Sequence, residues 1–142
     1  MECTVRWMGG DAGMAFVAES GSGHAVVMDG APEAGGRNLG LRPMEMVLAG
    51  TGGCTAFDVV LILKKGRHAV SACEVSLKAE RADSDPKVFT HIHFHYKVKG
   101  KLLKADAVAR AIELSKDKYC SASIMIAKTA EITHDFEIIE DL

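Results

Sequence analysis

The run from Pro43 to Lys65 constrains the fold more than any other part of the chain. Pro43 sits where a first helical turn tolerates a missing N–H and a fixed φ, and Gly66 marks the stop. Between them the side chains are apolar around most of a helix circumference, which predicts an enclosed helix rather than a surface one. Gly50, Gly52 and Gly53 interrupt it. Each glycine costs roughly 1 kcal/mol against alanine in a helix interior, so three in four positions point to close approach of another backbone. Gly50, Thr51, Gly52, Gly53, Thr55 and Asp58 also make Met46–Leu63, the longest apolar stretch, too polar for a bilayer span. With no charged-then-apolar leader, a cytoplasmic protein is expected.

Strand patterns flank this helix. Cys3–Met8, Met14–Glu19 and His24–Asp29 alternate, with Gly21-Ser22-Gly23 turning between the last two. Residues 31–41 have neither period and read as a mobile loop. Val70–Ala82 places Cys73, Val75, Leu77 and Ala79 on one face; Lys87–Lys99 places Val88, Ile92, Phe94, Tyr96 and Val98 on one face; Asp83–Pro86 is the turn between them. Lys104–Lys116 is an amphipathic helix with Ala105, Val108, Ala109 and Ile112 inward, Cys120–Ala130 a second, and Glu131–Ile139 a closing strand. The order predicts an α+β protein. At 142 residues and 48 % hydrophobic, it has one domain and a real core, and its 17 basic against 19 acidic side chains lack the basic excess of a nucleic-acid coat.

Four cysteines without a close-spaced pair exclude a disulfide scaffold and a zinc knuckle. Cys3 and Cys73 share strand faces with apolar residues and read as core. Cys54 lies beyond the helix glycines with Asp58 one turn on; it reads as a small buried filler or as a reactive thiol, and a carboxylate so near raises a thiol pKa unless a cation neutralises it. Cys120 stands at a helix start, where unpaired N–H groups favour a thiolate, and reads equally as a buried filler. His91, His93 and His95 project to one side of a strand, a plausible metal geometry but also a solvated face shared with Lys87, Lys97 and Lys99. His24, His68 and His134 have no patterned company, and Gly50-Thr51-Gly52-Gly53 lacks the Lys-Ser/Thr of a phosphate loop.

Pro43-Met44-Glu45-Met46-Val47-Leu48-Ala49, leading into Gly53-Cys54-Thr55-Ala56-Phe57-Asp58-Val59-Val60, and then Lys118-Tyr119-Cys120-Ser121, resembles the OsmC/Ohr family over nearly the whole chain, its YhfA-like branch above all. The resemblance implies an OsmC-like α+β fold: a long central buried helix with antiparallel sheets, in an intertwined homodimer with two sites at the subunit interface. It further implies a thiol-dependent peroxidase that reduces organic hydroperoxides in oxidative-stress defence. Cys54 would be the peroxidatic cysteine, Cys120 the resolving one, and an external dithiol the reductant. No metal or organic cofactor is required, and neither nucleic acid nor membrane is a partner.

The family's peroxidases carry a Glu directly after the motif proline and an Arg upstream. Here Met44 follows Pro43 and the acid is Glu45, one helical position or about 100° round. The arginine would be Arg42 or Arg37. Glu45 precedes Cys54 by nine residues, about 13 Å along a helix, so a direct link would cross to a partner chain. The rival reading is a binding protein on the same scaffold that holds a small hydrophobic or thiol-containing ligand without turnover. Metal binding through His91, His93 and His95 is a third.

Overall fold

The computed structural model describes residues 1–142, which pack as two compact units, Met1–Ala49 and Gly50–Leu142. The first holds an antiparallel sheet of β1 (Cys3–Trp7), β2 (Phe16–Ser20) and β3 (Ala25–Met28), in that order. All five residues of β1 are exposed, so Cys3, Val5 and Trp7 are not core as their alternation suggested; no element of this unit covers that strand.

The aperiodic residues 31–41 are anchored rather than loose. The buried Asp29 carboxylate accepts the backbone N–H groups of Gly30 (2.7 Å), Arg37 (3.1 Å) and Leu39 (3.1 Å), and Asp29 N–H donates to the Leu41 carbonyl at 3.0 Å. The Leu39 N–H above all, then those of Arg37 and Gly30, holds the Asp29 carboxyl below its ordinary value. Gly36 is required here, since a Cβ would stand 1.8 Å from the Gly30 carbonyl oxygen.

Helix α1 spans Pro43–Lys65 as its pattern predicts, beginning in the first unit and continuing through the second. It is long and apolar enough to cross a membrane by length and composition alone, so polarity does not exclude a span. Within the chain one stripe of it is packed: Thr51, Gly52, Thr55, Val59 and Leu63 are buried at helical spacing. Val47, Phe57 and Leu61 lie off that stripe and are exposed, so one chain encloses one face of α1 and not its circumference. Close approach holds at Gly52, where a Cβ would meet Leu77 Cδ1 at 2.7 Å, a side chain rather than a backbone; at Gly50 and Gly53 the space is open.

In the second unit β4 (Ala69–Arg81), β5 (Phe89–Lys101) and β6 (Glu131–Glu140) form one sheet in that order. The β4/β5 hairpin is antiparallel, but β5 and β6 run parallel, so this sheet is mixed and not antiparallel as expected. The cause is the long connection through α2 (Ala105–Leu114), a π-helical turn (Ser115–Tyr119) and α3 (Ser121–Ile126), which returns the chain to the end of the sheet where β5 began.

Ile92, Phe94, Tyr96 and Val98 are buried along β5, as the alternation requires, but at its start a register shift opposite Glu80 and Arg81 buries Phe89 and leaves the expected Val88 half-buried. Val59, Leu63, Val108, Ala111, Ile112, Cys120 and Ala130 belong to the same core. Each large apolar side chain among them contributes roughly 1.5–3 kcal/mol by leaving water. The inward stripe of α2 is Val108, Ala111 and Ile112, while Ala105 is exposed in the first turn. That stripe runs on into Ser115.

Candidate dithiol site

Cys54 and Asp58 are four residues apart on α1 and therefore share a face, half-buried. Opposite them the π-helical turn closes with the Cys120 N–H donating to the Ser115 carbonyl at 2.8 Å, a five-residue step that sets Cys120 at the start of α3. Cys120 caps that helix: its Sγ accepts the Ser123 N–H at 3.4 Å, and Ser123 Oγ donates back to the Cys120 carbonyl at 3.2 Å. The result is one cluster. Cys54 Sγ, a carboxylate oxygen of Asp58 and Cys120 Sγ all lie within 4.8 Å of one another.

A chain of buried hydroxyls ends at this cluster. Ser115 Oγ donates to Asp58 Oδ2 at 3.0 Å, Thr55 Oγ1 lies 2.9 Å from Ser115 Oγ, and Tyr96 Oη lies 2.8 Å from Thr55 Oγ1. Each hydroxyl has one proton, so the carboxylate fixes the direction: Ser115 donates to Asp58, Thr55 to Ser115, and Tyr96 to Thr55. Burial pushes the Tyr96 phenol up to about 12, which keeps it a donor at physiological pH.

The two thiols are not equivalent. Cys120 is fully buried whereas Cys54 is half-buried. Burial, reinforced by Cys54, raises the Cys120 thiol above its ordinary value against the opposing Ser123 hydroxyl and N–H. The lowering expected from its helix-start position is thus outweighed: α3 has six residues, and removing the thiolate from water costs more than one N–H returns. Burial likewise raises Cys73, a half-buried side chain of β4. A cleft of about 310 Å³ opens beside Asp58, lined by Leu61, Ile62, Lys65, Leu114 and Tyr119.

Arg42 and Glu45, both in the first unit, pair with each other. Glu45 Oε2 accepts the Arg42 N–H at 2.9 Å and Glu45 Oε1 lies 3.6 Å from Arg42 Nη1, while Arg42 Nη1 reaches Asn38 Oδ1 at 3.5 Å. Glu45 thereby closes the N-terminus of α1, the back-reaching half of a capping box.

His91, His93 and His95 line the solvent face of β5, as their register predicts, but acidic partners are present. Parallel pairing sets Thr133, Asp135 and Glu137 of β6 beside them, a juxtaposition the separation in sequence conceals. Asp135 Oδ1 takes His95 Nδ1 at 2.7 Å and His93 Nε2 at 3.1 Å; His93 Nδ1 meets Thr133 Oγ1 at 2.8 Å. The sequence reading missed Ser115, Thr55 and Tyr96. Their signal was a hydroxyl residue continuing an apolar stripe: Thr55 between Gly52 and Val59, Ser115 after Ile112.

A protein called YhfA, from Escherichia coli strain K12, is 48 % identical, with 98 % of each chain covered. Among solved structures, a hypothetical protein from Aquifex aeolicus is 27 % identical with a TM-score of 0.83, covering 99 % of this chain and 97 % of that one. A Legionella pneumophila structure, described as an organic hydroperoxide resistance protein OsmC, shares the fold at 14 % identity and a TM-score of 0.71, with 96 % and 97 % covered. The profile described as OsmC-like protein matches residues 35–135, most of the chain and both cysteine motifs, and together with the YhfA relative it places the protein in the OsmC family.

Proposed function

We propose that residues 1–142 form one OsmC-like domain and that the protein is a thiol peroxidase, acting on organic hydroperoxides in oxidative-stress defence in the cytoplasm. The observation that carries the reading is the meeting of a half-buried and a fully buried thiol within 4.8 Å. Family membership and the name of the Legionella relative point the same way. The Cys54 thiolate attacks one peroxide oxygen, the O–O bond breaks, and the departing alkoxide takes a proton to leave as an alcohol. Cys54 is then a sulfenic acid. The Cys120 thiol, on giving up its proton, attacks that sulfur, water leaves, and a disulfide forms. The sulfurs must close to about 2.05 Å for this. An external dithiol restores both thiols by exchange and is itself oxidised.

The apolar wall of the cleft beside Asp58 suits the organic group of such a substrate. The same cleft suits the rival, a ligand held without turnover. A second copy of the chain completes the assembly in this reading, covering the exposed face of α1 and bringing the Arg42–Glu45 pair to the partner's Cys54, where the guanidinium supports its thiolate.

The test is to add one equivalent of an organic hydroperoxide to the reduced protein, following peroxide and free thiols together. Two thiols should disappear rapidly in the wild type and none in Cys54→Ser, while Cys120→Ser should accumulate a sulfenic acid. Peroxide loss no faster than with a free thiol in solution would leave the ligand-binding reading in its place.

A further inference from the structure

We infer that the reduced site is also a zinc site, with Cys54 Sγ, Cys120 Sγ and a carboxylate oxygen of Asp58 as its three protein ligands. Three observations carry it. The first is the donor set: two sulfurs and one carboxylate oxygen converge within 4.8 Å, and thiolates select a borderline-soft divalent ion over magnesium or calcium. Zinc–sulfur bonds of about 2.3 Å and a zinc–oxygen bond of about 2.1 Å in a tetrahedron require ligand separations of about 3.5–3.8 Å, so a contraction on the order of 1 Å closes the site. The second is charge. Asp58 forms no ion pair, its partner being the neutral Ser115 hydroxyl, so its negative charge is free to be offset by a divalent cation, which the two neighbouring thiols join as thiolates when it binds.

The third is outer support. Ser115 holds Asp58 Oδ2 by its hydroxyl and Cys120 N–H by its carbonyl, so one residue orients two of the three ligands, with Thr55 and Tyr96 fixing the hydroxyl behind it. Losing such a partner typically costs about 10–100-fold in metal affinity. Binding releases the two thiol protons to solvent, involves no change of oxidation state, and leaves the fourth position to water from the cleft beside Asp58. Zinc would occupy the reduced form and be expelled on disulfide formation. The inference requires no turnover of peroxide and stands apart from it.

Cobalt, followed in the reduced wild-type protein with a phosphine reductant and no chelator, tests the assignment directly. A near-ultraviolet charge-transfer band of two-thiolate intensity and a tetrahedral visible spectrum should appear at one equivalent and vanish when zinc is added. Cys54→Ser should halve the band. Ser115→Ala should weaken zinc binding by about tenfold, and Asp58→Asn by at least as much. Prior oxidation of the wild type should abolish binding without any substitution, which keeps the test valid should the buried Cys120 tolerate no variant. No band, a band of one-thiolate intensity, or unchanged zinc affinity in Cys54→Ser would each overturn the site, the last moving the cation to another surface such as that of His91, His93 and His95. Because the readout is spectral and peroxide is absent, failure here is separable from failure of the peroxidase reading.

Discussion

The second unit carries two polar clusters built from similar chemistry under opposite conditions. Around Asp58 there is one half-buried carboxylate, two thiols and three buried hydroxyls, the hydroxyls joined to the carboxylate by a chain of single-proton bonds. Around Asp135 there are two carboxylates and a row of histidines and lysines, joined by contacts of comparable length on the open face of β5 and β6. Length therefore says little about consequence. At the buried Tyr96, Thr55 and Ser115 hydroxyls a polar atom that loses its partner has no water to turn to, whereas on the sheet face solvent replaces it at once. The inner cluster should be rigid and sensitive to every change, the outer one plastic.

The largest effect expected from this contrast is on stability. Ser115→Ala removes the donor to Asp58 and the acceptor for Thr55 together, and should cost about 2–3 kcal/mol. That is a fall in Tm of roughly 8–12 °C for a chain of this size. His93→Ala on the sheet face also removes two contacts, yet should move Tm by no more than about 2 °C. Thermal unfolding of both variants in one buffer is the comparison, and equal falls would end the distinction between the two clusters.

A smaller effect should follow at the far end of the hydroxyl chain. Tyr96→Phe leaves Thr55 donating to Ser115 but deprives it of its own donor, at a cost of about 1 kcal/mol. The loss should be insensitive to salt, because no ion pair is involved. Raising ionic strength to about 1 M shortens the screening length to about 3 Å and should weaken the contacts of Asp135 and Glu137 instead. If salt magnified the Tyr96→Phe deficit, the buried chain would not be the neutral relay its geometry describes.

What could be read from the sequence divides along the same line. The β4/β5 hairpin and the buried face of β5 follow from a period of 2 that the chain prints openly, while α1 follows from its apolar run between Pro43 and Gly66, though its last carbonyls are closed by the left-handed Arg67 (φ 60°) and His68. The anchoring of residues 31–41 on Asp29 did not, because backbone N–H donors have no letter in the sequence. The mixed sheet did not either: period 2 gives a face and never a partner, so the parallel register that sets Asp135 beside His95 was invisible. At the dithiol site, Cys54 and Asp58 were visible as an i, i+4 pair, and family resemblance pointed to Cys120. That Ser115 ties Asp58 to Cys120 depends on a π-helical turn, which an uninterrupted 3.6-residue pattern through Lys116 conceals. Burial then reversed the direction for the Cys120 thiol, since sequence places a residue at a helix start without saying how dry that start is.

The smallest expected effect is a matter of pH on the sheet face. Hydrogen bonding to Asp135 first, then to Glu137, raises the His95 imidazolium above the usual histidine value, while His95 lowers Asp135, and Lys97 followed by His95 lowers Glu137. A raised histidine stabilises the fold fully below its unfolded value and loses that contribution as pH rises through the folded one. The lowered carboxylates stabilise it above their unfolded values and lose that as pH falls through the folded ones. The pairing therefore contributes most between the ordinary carboxylate values of 3.8 and 4.5 and the ordinary histidine value of 6.5. An imidazole NMR titration should place the His95 midpoint above 6.5, and Asp135→Asn should return it toward that value while Tm across the same range changes little. Should Asp135→Asn instead lower Tm as far as Ser115→Ala does, exposure would not have weakened these bonds, and burial would not be what separates the two clusters.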